Sequence, residues 1–378
     1  MSTRLQVCSR CVMDTTAEEI TFDSQGVCSF CHTFDRRIKP ILERNRRGEG
    51  RDLLQAVVEQ MKRAGQGKPY DCLIGLSGGA DSSYMIHVVS TLGLRPLVTS
   101  VDTGWGTPEA DSNVELLVSK LGLEFEKRTL DWSAMRDIQI AFYKASIRNC
   151  EIPQDQVFLA EMYKLASARG IRFVLLGSNH ATESILPESW GYNAADVRYI
   201  RDVCRKFGDK RCLDRLPTMN LFERYVYYPF LRGIHEVRPL NYVPYVKKEA
   251  KALLADEYGW QDYGAKHYES VLTRFFQGYY LPTKFGVDKR KAHLSSLILA
   301  GEITRDDALR ELQRPPYDAD RLLEDKEIIA RRLELPRAEW ERILALPPRP
   351  DSEFRSARWG FALKERIARM RLLPSRRA

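Results

Sequence analysis

Hydrophobic positions along this chain follow two periods, and the way those periods alternate sets the expected fold. From Tyr70 onward, short apolar runs alternate with stretches of helical spacing. The first run, Asp71–Leu76, is apolar through Cys72-Leu73-Ile74-Gly75-Leu76, as a strand buried on both faces requires. Further strands are predicted at Pro96–Val101, Leu123–Thr129 and Ile171–Gly177, with helices near Glu109–Leu121 and Gln156–Arg169. Strands that alternate with helices predict an α/β fold with a parallel sheet and right-handed crossovers. Upstream, Asp52–Ala64 repeats apolar residues at helical spacing (Leu53, Leu54, Val57, Val58, Met61) within a basic connector, and Gly65-Gln66-Gly67-Lys68-Pro69 marks a boundary. Downstream, Val246–Tyr258 reads as a helix, and the chain from Ser295 is helical between Pro-rich breaks at Arg314–Tyr317 and Leu346–Pro350. Trp190–Pro244 is aromatic and lacks a clear period, which predicts an insertion or lid over the site. Tyr225–Leu231 within it fits a core helix equally well.

Ligands of such sheets bind beyond the carboxyl ends of the strands. The candidate residues at those ends are Ser77–Ser82, Asp102–Gly104, Asp131 and Gly177–Glu183. The first set is the most specific. Ser77-Gly78-Gly79-Ala80-Asp81-Ser82-Ser83 follows a strand and opens a helix beginning Tyr84-Met85-Ile86. Backbone N–H groups converge on such a turn, the helix dipole favours negative charge, and glycine admits a phosphate close to the backbone. The loop lacks the Gly-Lys-Ser/Thr of the Walker loop and the G-x-G-x-x-G of dinucleotide folds.

The S-G-G-x-D-S pattern resembles the pyrophosphate loop of the N-type ATP pyrophosphatases, the PP-loop superfamily. That resemblance implies cleavage of ATP between its α and β phosphates, with adenylation of a substrate oxygen. It implies ATP contacts at Ser77, Gly78, Gly79, Asp81, Ser82 and Ser83, with Ser77, Asp81 and Ser82 acting in the chemistry. Asp102-Thr103-Gly104 resembles the adenosine-facing turn, so Asp102 and Gly104 join the nucleotide set, as do Gly177 and Glu183 at the fourth strand end. Asp81 and Glu183 are the implied magnesium ligands. Glu183 also reads as an ordinary first-turn acid favoured by the helix dipole. Lysines and arginines after Lys266, Lys289 among them, are expected either to offset charge on the leaving pyrophosphate or to form a solvated helix face.

Composition adds bounds. The chain has 378 residues, 44% hydrophobic and 29% charged, which describes an ordinary globular protein. No apolar run approaches the roughly 18 residues of a membrane span, and the N-terminus shows no apolar signal core, so a cytoplasmic location without membrane insertion is expected. The net charge of +8 suits polyanionic ligands. The basic stretch Arg366–Arg377 reads first as a solvated amphipathic helix and tail, and nucleic acid is not the expected partner.

Four of the eight cysteines lie in the first 31 residues. Cys8-x2-Cys11 and Cys28-x2-Cys31, with 16 residues between the pairs, have the spacing of a four-thiolate zinc ribbon. An iron–sulfur cluster or unmetallated thiols remain alternatives. A closed four-cysteine site has no open position, so its zinc would be structural. Cys204 and Cys212 do not have metal spacing. The expected organisation is a ribbon at 1–35, a basic helical connector at 36–69, a PP-loop domain at 70–245 and a helical C-terminal region at 246–378.

The order of motifs extends the resemblance. Cys-x-x-Cys-Val-Met-Asp-Thr-Thr at 8–16, Cys-x-Phe-Cys at 28–31, the loop at 76–84, Val-Asp-Thr-Gly-Trp at 101–105 and Phe-Gly-Val-Asp-Lys-Arg-Lys-Ala-His-Leu-Ser at 285–295 together look like the WbpG/PseA-type N-acetyl sugar amidotransferases of bacterial surface-polysaccharide synthesis. What this implies is an ATP- and Mg2+-dependent ligase that turns an acetamido group of a UDP-linked sugar into an acetamidino group, in lipopolysaccharide O-antigen synthesis. Ammonia would come from a partner glutaminase, with a barrel-type companion, since no cysteine–histidine glutaminase region is evident in this chain. The alternative is a PP-loop tRNA-modifying enzyme, thiolase or lysidine-synthase-like, in which the ribbon and basic tail grip RNA.

Overall fold

The computed structural model describes residues 5–264 and 268–357. The basic tail from Arg366, and Lys266, therefore lie outside the described residues. Three helices, α1 (Ser29–Arg37), α2 (Lys39–Arg46) and α3 (Glu49–Ala64), lead into the sheet domain. The chain then runs β1 (Cys72–Gly75), α4 (Ala80–Ser90), β2 (Pro96–Asp102), α5 (Pro108–Leu121), β3 (Glu124–Thr129), α6 (Trp132–Ala145), α7 (Ile152–Ala168), β4 (Phe173–Leu175), α8 (His180–Glu183), α9 (Val197–Phe207) and β5 (His235–Val237). The rest is helical: α10 (Lys247–Tyr258), α11 (Val271–Phe275), α12 (Leu281–Phe285), α13 (Arg290–Ala300), α14 (Arg305–Gln313), α15 (Ala319–Arg332) and α16 (Arg337–Leu344). No helix among the described residues is long and apolar enough to cross a membrane.

The five strands are all parallel, in the order β3-β2-β1-β4-β5. The chain builds outward from β1 through β2 and β3, then crosses to β1's other side for β4 and β5. That reversal leaves a crevice beyond the carboxyl ends of β1 and β4, where open α/β sheets bind ligands. Strand burial follows position. Every residue of central β1 is buried, while edge strand β3, Glu-Phe-Glu-Lys-Arg-Thr, is partly exposed throughout. Cys72 and Ile74 pack with α3, α4 and α10 on one face of the sheet, and Leu73 packs with α7 on the other. A third core joins the four N-terminal cysteines to α6, α9 and the C-terminal helices.

Local signals explain the helix ends. Thr107 caps α5 by accepting the Ala110 N–H at 3.3 Å, Pro108 fills its first turn, and left-handed Gly122 ends it. Thr304 and Asp307 form a reciprocal capping box on α14.

Residues 190–244 depart from expectation. They form α9, a π-helical segment at Glu223–Leu231 and edge strand β5, and none of them lines the crevice at the end of β1. Trp190 and Tyr199 are fully buried in the third core instead of capping a site. The lid reading is thereby corrected. Trp190 and Tyr199 supply core volume, Tyr228 alone of the π-helical segment is buried, and Phe222 and Phe230 are exposed.

Candidate active site at the carboxyl ends of β1 and β4

A cavity of about 230 Å³ fills the crevice. The loop after β1 contributes Ser77, Gly79, Ala80, Asp81 and Ser82; the end of β4 contributes Gly177 and Ser178; α8 contributes Glu183. The loop is held by its own hydroxyls. Ser77 Oγ and Ser82 Oγ are 3.1 Å apart, Ser82 Oγ donates to the Gly79 carbonyl at 3.2 Å, and Ser77 Oγ accepts the Gly79 N–H at 3.4 Å. Gly78 adopts φ +79°, and a Cβ there would lie 2.3 Å from the Ala110 carbonyl oxygen, so only glycine fits. Its carbonyl accepts from Trp260 Nε1 at 2.9 Å. Gly78 and the fully buried Ser83 do not line the cavity; they shape the turn and anchor α4.

Asp81 is the acid of the loop. Tyr245 donates its hydroxyl to Asp81 Oδ1. Burial first, and then the nearby Asp81 carboxylate, push the Tyr245 phenol well above its ordinary value, so it stays a proton donor to that carboxylate. Asp81, Glu183, Asp262 and Glu269 give the wall four carboxylates, and Lys247 and Lys251 give it two ammonium groups. Lys251 Nζ is held by the Asp262 carboxylate at 2.7 and 2.8 Å. Asp81 and Glu183 both line this wall.

The other predicted residues sit elsewhere. Asp102 Oδ1 accepts the Gly104 N–H at 2.8 Å, and Gly104, at φ +83°, packs so tightly on Trp132 that a Cβ would lie 2.2 Å from its ring. Asp131 caps α6 through the Ala134 N–H at 3.1 Å and pairs with Arg215 at 3.1 Å. None of the three lines the cavity, because β2 and β3 carry them away from the β1–β4 switch. Lys289 lines a neighbouring cavity, with its ammonium 5.5 Å from the centre of the Phe276 ring.

Several lining residues were not anticipated: Phe158, Lys247, Lys251, Trp260, Asp262, Tyr263 and Glu269, with Tyr245 behind Asp81. Trp260 through Tyr263 follow α10 at its left-handed Gly259 cap and are stitched to the loop. Asn113 donates to the Gln261 carbonyl at 2.9 Å, and the Gln261 N–H donates back to Asn113 at 2.9 Å. Glu269 arrives because the Thr107 N–H donates to its carbonyl and the Val271 N–H donates to the Trp105 carbonyl, each at 3.0 Å. The one sequence signal was two aromatics and an acid just past a helix stop.

At the N-terminus, Cys8, Cys11, Cys28 and Cys31 bring their sulfurs within 4.8 Å of one another. The Cys8–Cys31, Cys11–Cys28 and Cys28–Cys31 separations are 3.8, 3.7 and 3.6 Å. Four sulfurs on a tetrahedron about 2.3 Å from a central ion would be about 3.8 Å apart, so the cluster suits one tetrahedral metal ion. The ribbon does not stand alone. Arg305 donates to the carbonyls of Cys11 and Cys8 at 3.0 Å each, Ser295 Oγ accepts the Val12 N–H at 3.1 Å, and Lys291 pairs with buried Asp14.

Residues 269–368 match the family model described as the LPS biosynthesis protein WbpG-like, C-terminal domain. No curated protein matches the chain. Among solved structures, the chain is similar to the U34-tRNA thiolase NcsA from Methanococcus maripaludis with its [4Fe-4S] cluster, at 15% identity and a TM-score of 0.36, over 83% of this chain and 90% of that one. It is also similar to the NH3-dependent NAD synthetase from Campylobacter jejuni, at 13% identity and a TM-score of 0.31, over 80% and 99%. A third likeness is the NMN synthetase from Francisella tularensis, at 13% identity and a TM-score of 0.26, over 80% and 98%.

Proposed function

We propose that this chain, which carries a WbpG-like C-terminal domain behind a PP-loop α/β domain, is an ATP-dependent, AMP-forming amidotransferase acting on the acetamido group of a UDP-linked sugar. The observation that carries the reading is a meeting of two signals. Glu269, the first residue of the WbpG-like segment, lines the same cavity as the Ser77–Ser82 loop.

The amide oxygen of the acetamido group attacks the α-phosphorus of ATP. The bond to the bridging oxygen breaks, and pyrophosphate leaves toward the loop. Ammonia adds to the activated carbon, the carbon–oxygen bond breaks, AMP departs carrying the former amide oxygen, and the acetamidino group remains. The α4 N-terminus and the hydroxyls of Ser77 and Ser82 receive the phosphates, since the first N–H groups of a helix have no partner within it. Lys247 and Lys251, which line the loop cavity, would offset the charge that develops on pyrophosphate, one of the two roles the sequence offers Lys289. Asp81 and Glu183 would hold magnesium, which offsets phosphate charge. Tyr245 fixes the Asp81 carboxylate through its hydroxyl. The four cysteines would hold zinc in a structural role.

Ammonia is mostly protonated at neutral pH, so a glutaminase partner, with a barrel-type companion, would deliver it unprotonated. The WbpG-like match supports a role in surface-polysaccharide (lipopolysaccharide O-antigen) synthesis, and the use of ATP and a nucleotide-linked sugar fits a cytoplasmic reaction. The test is pyrophosphate release by the full chain with ATP, magnesium and ammonium, with and without UDP-acetamido sugars. Release that depends on a sugar, with mass spectrometry showing its oxygen replaced by NH, is the expected result. AMP formation with tRNA and none with any sugar would transfer the assignment to tRNA modification.

A further inference from the structure

A second cavity, of about 250 Å³, adjoins the loop cavity, and Lys247 belongs to the walls of both. Consecutive residues of α8 divide them: Thr182 faces the second and Glu183 the first. Three other surface hollows share no lining residue with either. This contiguity bears on the acceptor. Attack on the α-phosphorus requires the acceptor oxygen about 3 Å from it, so the acceptor must occupy space that opens onto the loop cavity. The loop cavity, at about 230 Å³, is too small to enclose ATP and a second nucleotide together, so part of the acceptor must lie outside it.

The lining of the second cavity has a distinct chemistry. Lys247, Lys289 and Arg290 outnumber Glu311 and the Asp288 carboxylate paired with Arg290, so the wall carries net positive charge. Arg290 is held in place by Asp288 at 2.7 and 3.1 Å. Leu294 and Leu297 supply an apolar floor. A net positive wall favours a doubly charged diphosphate bearing an uncharged ring.

We propose that the second cavity binds the sugar-diphosphate part of the acceptor, its diphosphate at Lys289 and its sugar over Leu294 and Leu297, so that Lys247 touches both substrates. This rests on the adenylation reading above and makes Lys289 an acceptor-binding residue instead of a pyrophosphate ligand.

The test is calorimetric binding of UDP and of UDP-N-acetylglucosamine to the full chain, with and without a non-hydrolysable ATP analogue. Both ligands are expected to bind alongside the analogue. Lys289→Ala should weaken them about tenfold, the loss of one charge-assisted contact, with ATP-analogue affinity unchanged and Lys289→Arg restoring most of the binding. Leu297→Trp, which fills the apolar floor, should abolish UDP-sugar binding and spare the analogue. Arg201→Ala, in a separate basic hollow, is the control for nonspecific anion binding and should change nothing. Competition between UDP and the analogue, no UDP binding at all, or unchanged UDP affinity in Lys289→Ala overturns the proposal. The two readings fail separately. Lys289-dependent UDP binding without sugar-dependent pyrophosphate release sinks the amidotransferase and keeps the cavity. Sugar-dependent release with Lys289-independent binding does the opposite.

Discussion

Alanine at position 177 is expected to push the phosphate loop out of register with the end of β4. Gly177 is not in the left-handed region, so alanine meets no backbone strain of its own there. Its Cβ would instead lie 2.7 Å from both the Cα and N of Ser82 and 3.0 Å from the Asp81 carbonyl carbon. Carbon atoms rest at about 3.5–4.0 Å, so the two segments must separate by about 1 Å. All three atoms are backbone, and no rotamer change relieves the contact. Overpacking of this kind costs about 1–3 kcal/mol of stability. A misplacement of about 1 Å at reacting groups costs about 100-fold in rate, so the larger loss should be catalytic. Gly170→Ala is the companion: φ there is +65° and nothing lies within 4 Å, so it should lose about 1–2 kcal/mol from strain alone and keep its rate. Urea unfolding and sugar-dependent pyrophosphate release measure the two effects. Wild-type release by Gly177→Ala, or an equal rate loss in Gly170→Ala, would refute the reasoning.

Tyr245→Phe removes the donor to the Asp81 carboxylate, and a hydrogen bond to a charged group is worth about 1.5–3 kcal/mol, so pyrophosphate release should fall about 10- to 100-fold with UDP binding unchanged. Asp81→Asn should abolish magnesium-dependent release, read by the same assay, while leaving the melting temperature near wild type. Elemental analysis should find one metal ion bound per chain; Cys11→Ser should lose it and lower the melting temperature, because Arg305, Ser295 and Lys291 dock on the ribbon. For Glu236, burial alone would raise the carboxyl, but Arg224 and then Arg238 outweigh it and hold it below its ordinary value. A depressed folded value stabilises the fold above the ordinary carboxylate value of about 4.3 and loses that contribution as pH falls through the folded value. Glu236→Gln should therefore lower the urea midpoint at neutral pH and flatten its decline on the acid side.

What the chain discloses in advance depends on how local each signal is. The strand, Ser-Gly loop and helix at 72–90 are contiguous, and hydrophobic period and turn chemistry suffice to place them. The four cysteines are legible for the same reason, since each Cys-x-x-Cys pair is local, and the fold brings all four sulfurs within 4.8 Å of one another. The far wall of the site is not. Tyr245 reaches Asp81 across 164 positions and Trp260 reaches Gly78 across 182, and neither contact leaves a periodic trace. Asp102 and Asp131 look alike in sequence, each an acid at a strand end, but strand order sends both away from the crevice. Edge strand β5, His-Glu-Val, is too short and too polar to show alternation, which is why 190–244 reads as a lid.

Adenylation of the amide oxygen in the loop cavity must carry that oxygen into AMP. The transfer is measured with a UDP-acetamido sugar carrying a heavy oxygen isotope in its acetamido carbonyl, incubated with ATP, magnesium, ammonium and the full chain. AMP and pyrophosphate should form in equal amounts, with the heavy oxygen in AMP. Formation of ADP and phosphate, or AMP without the label, would contradict that adenylation.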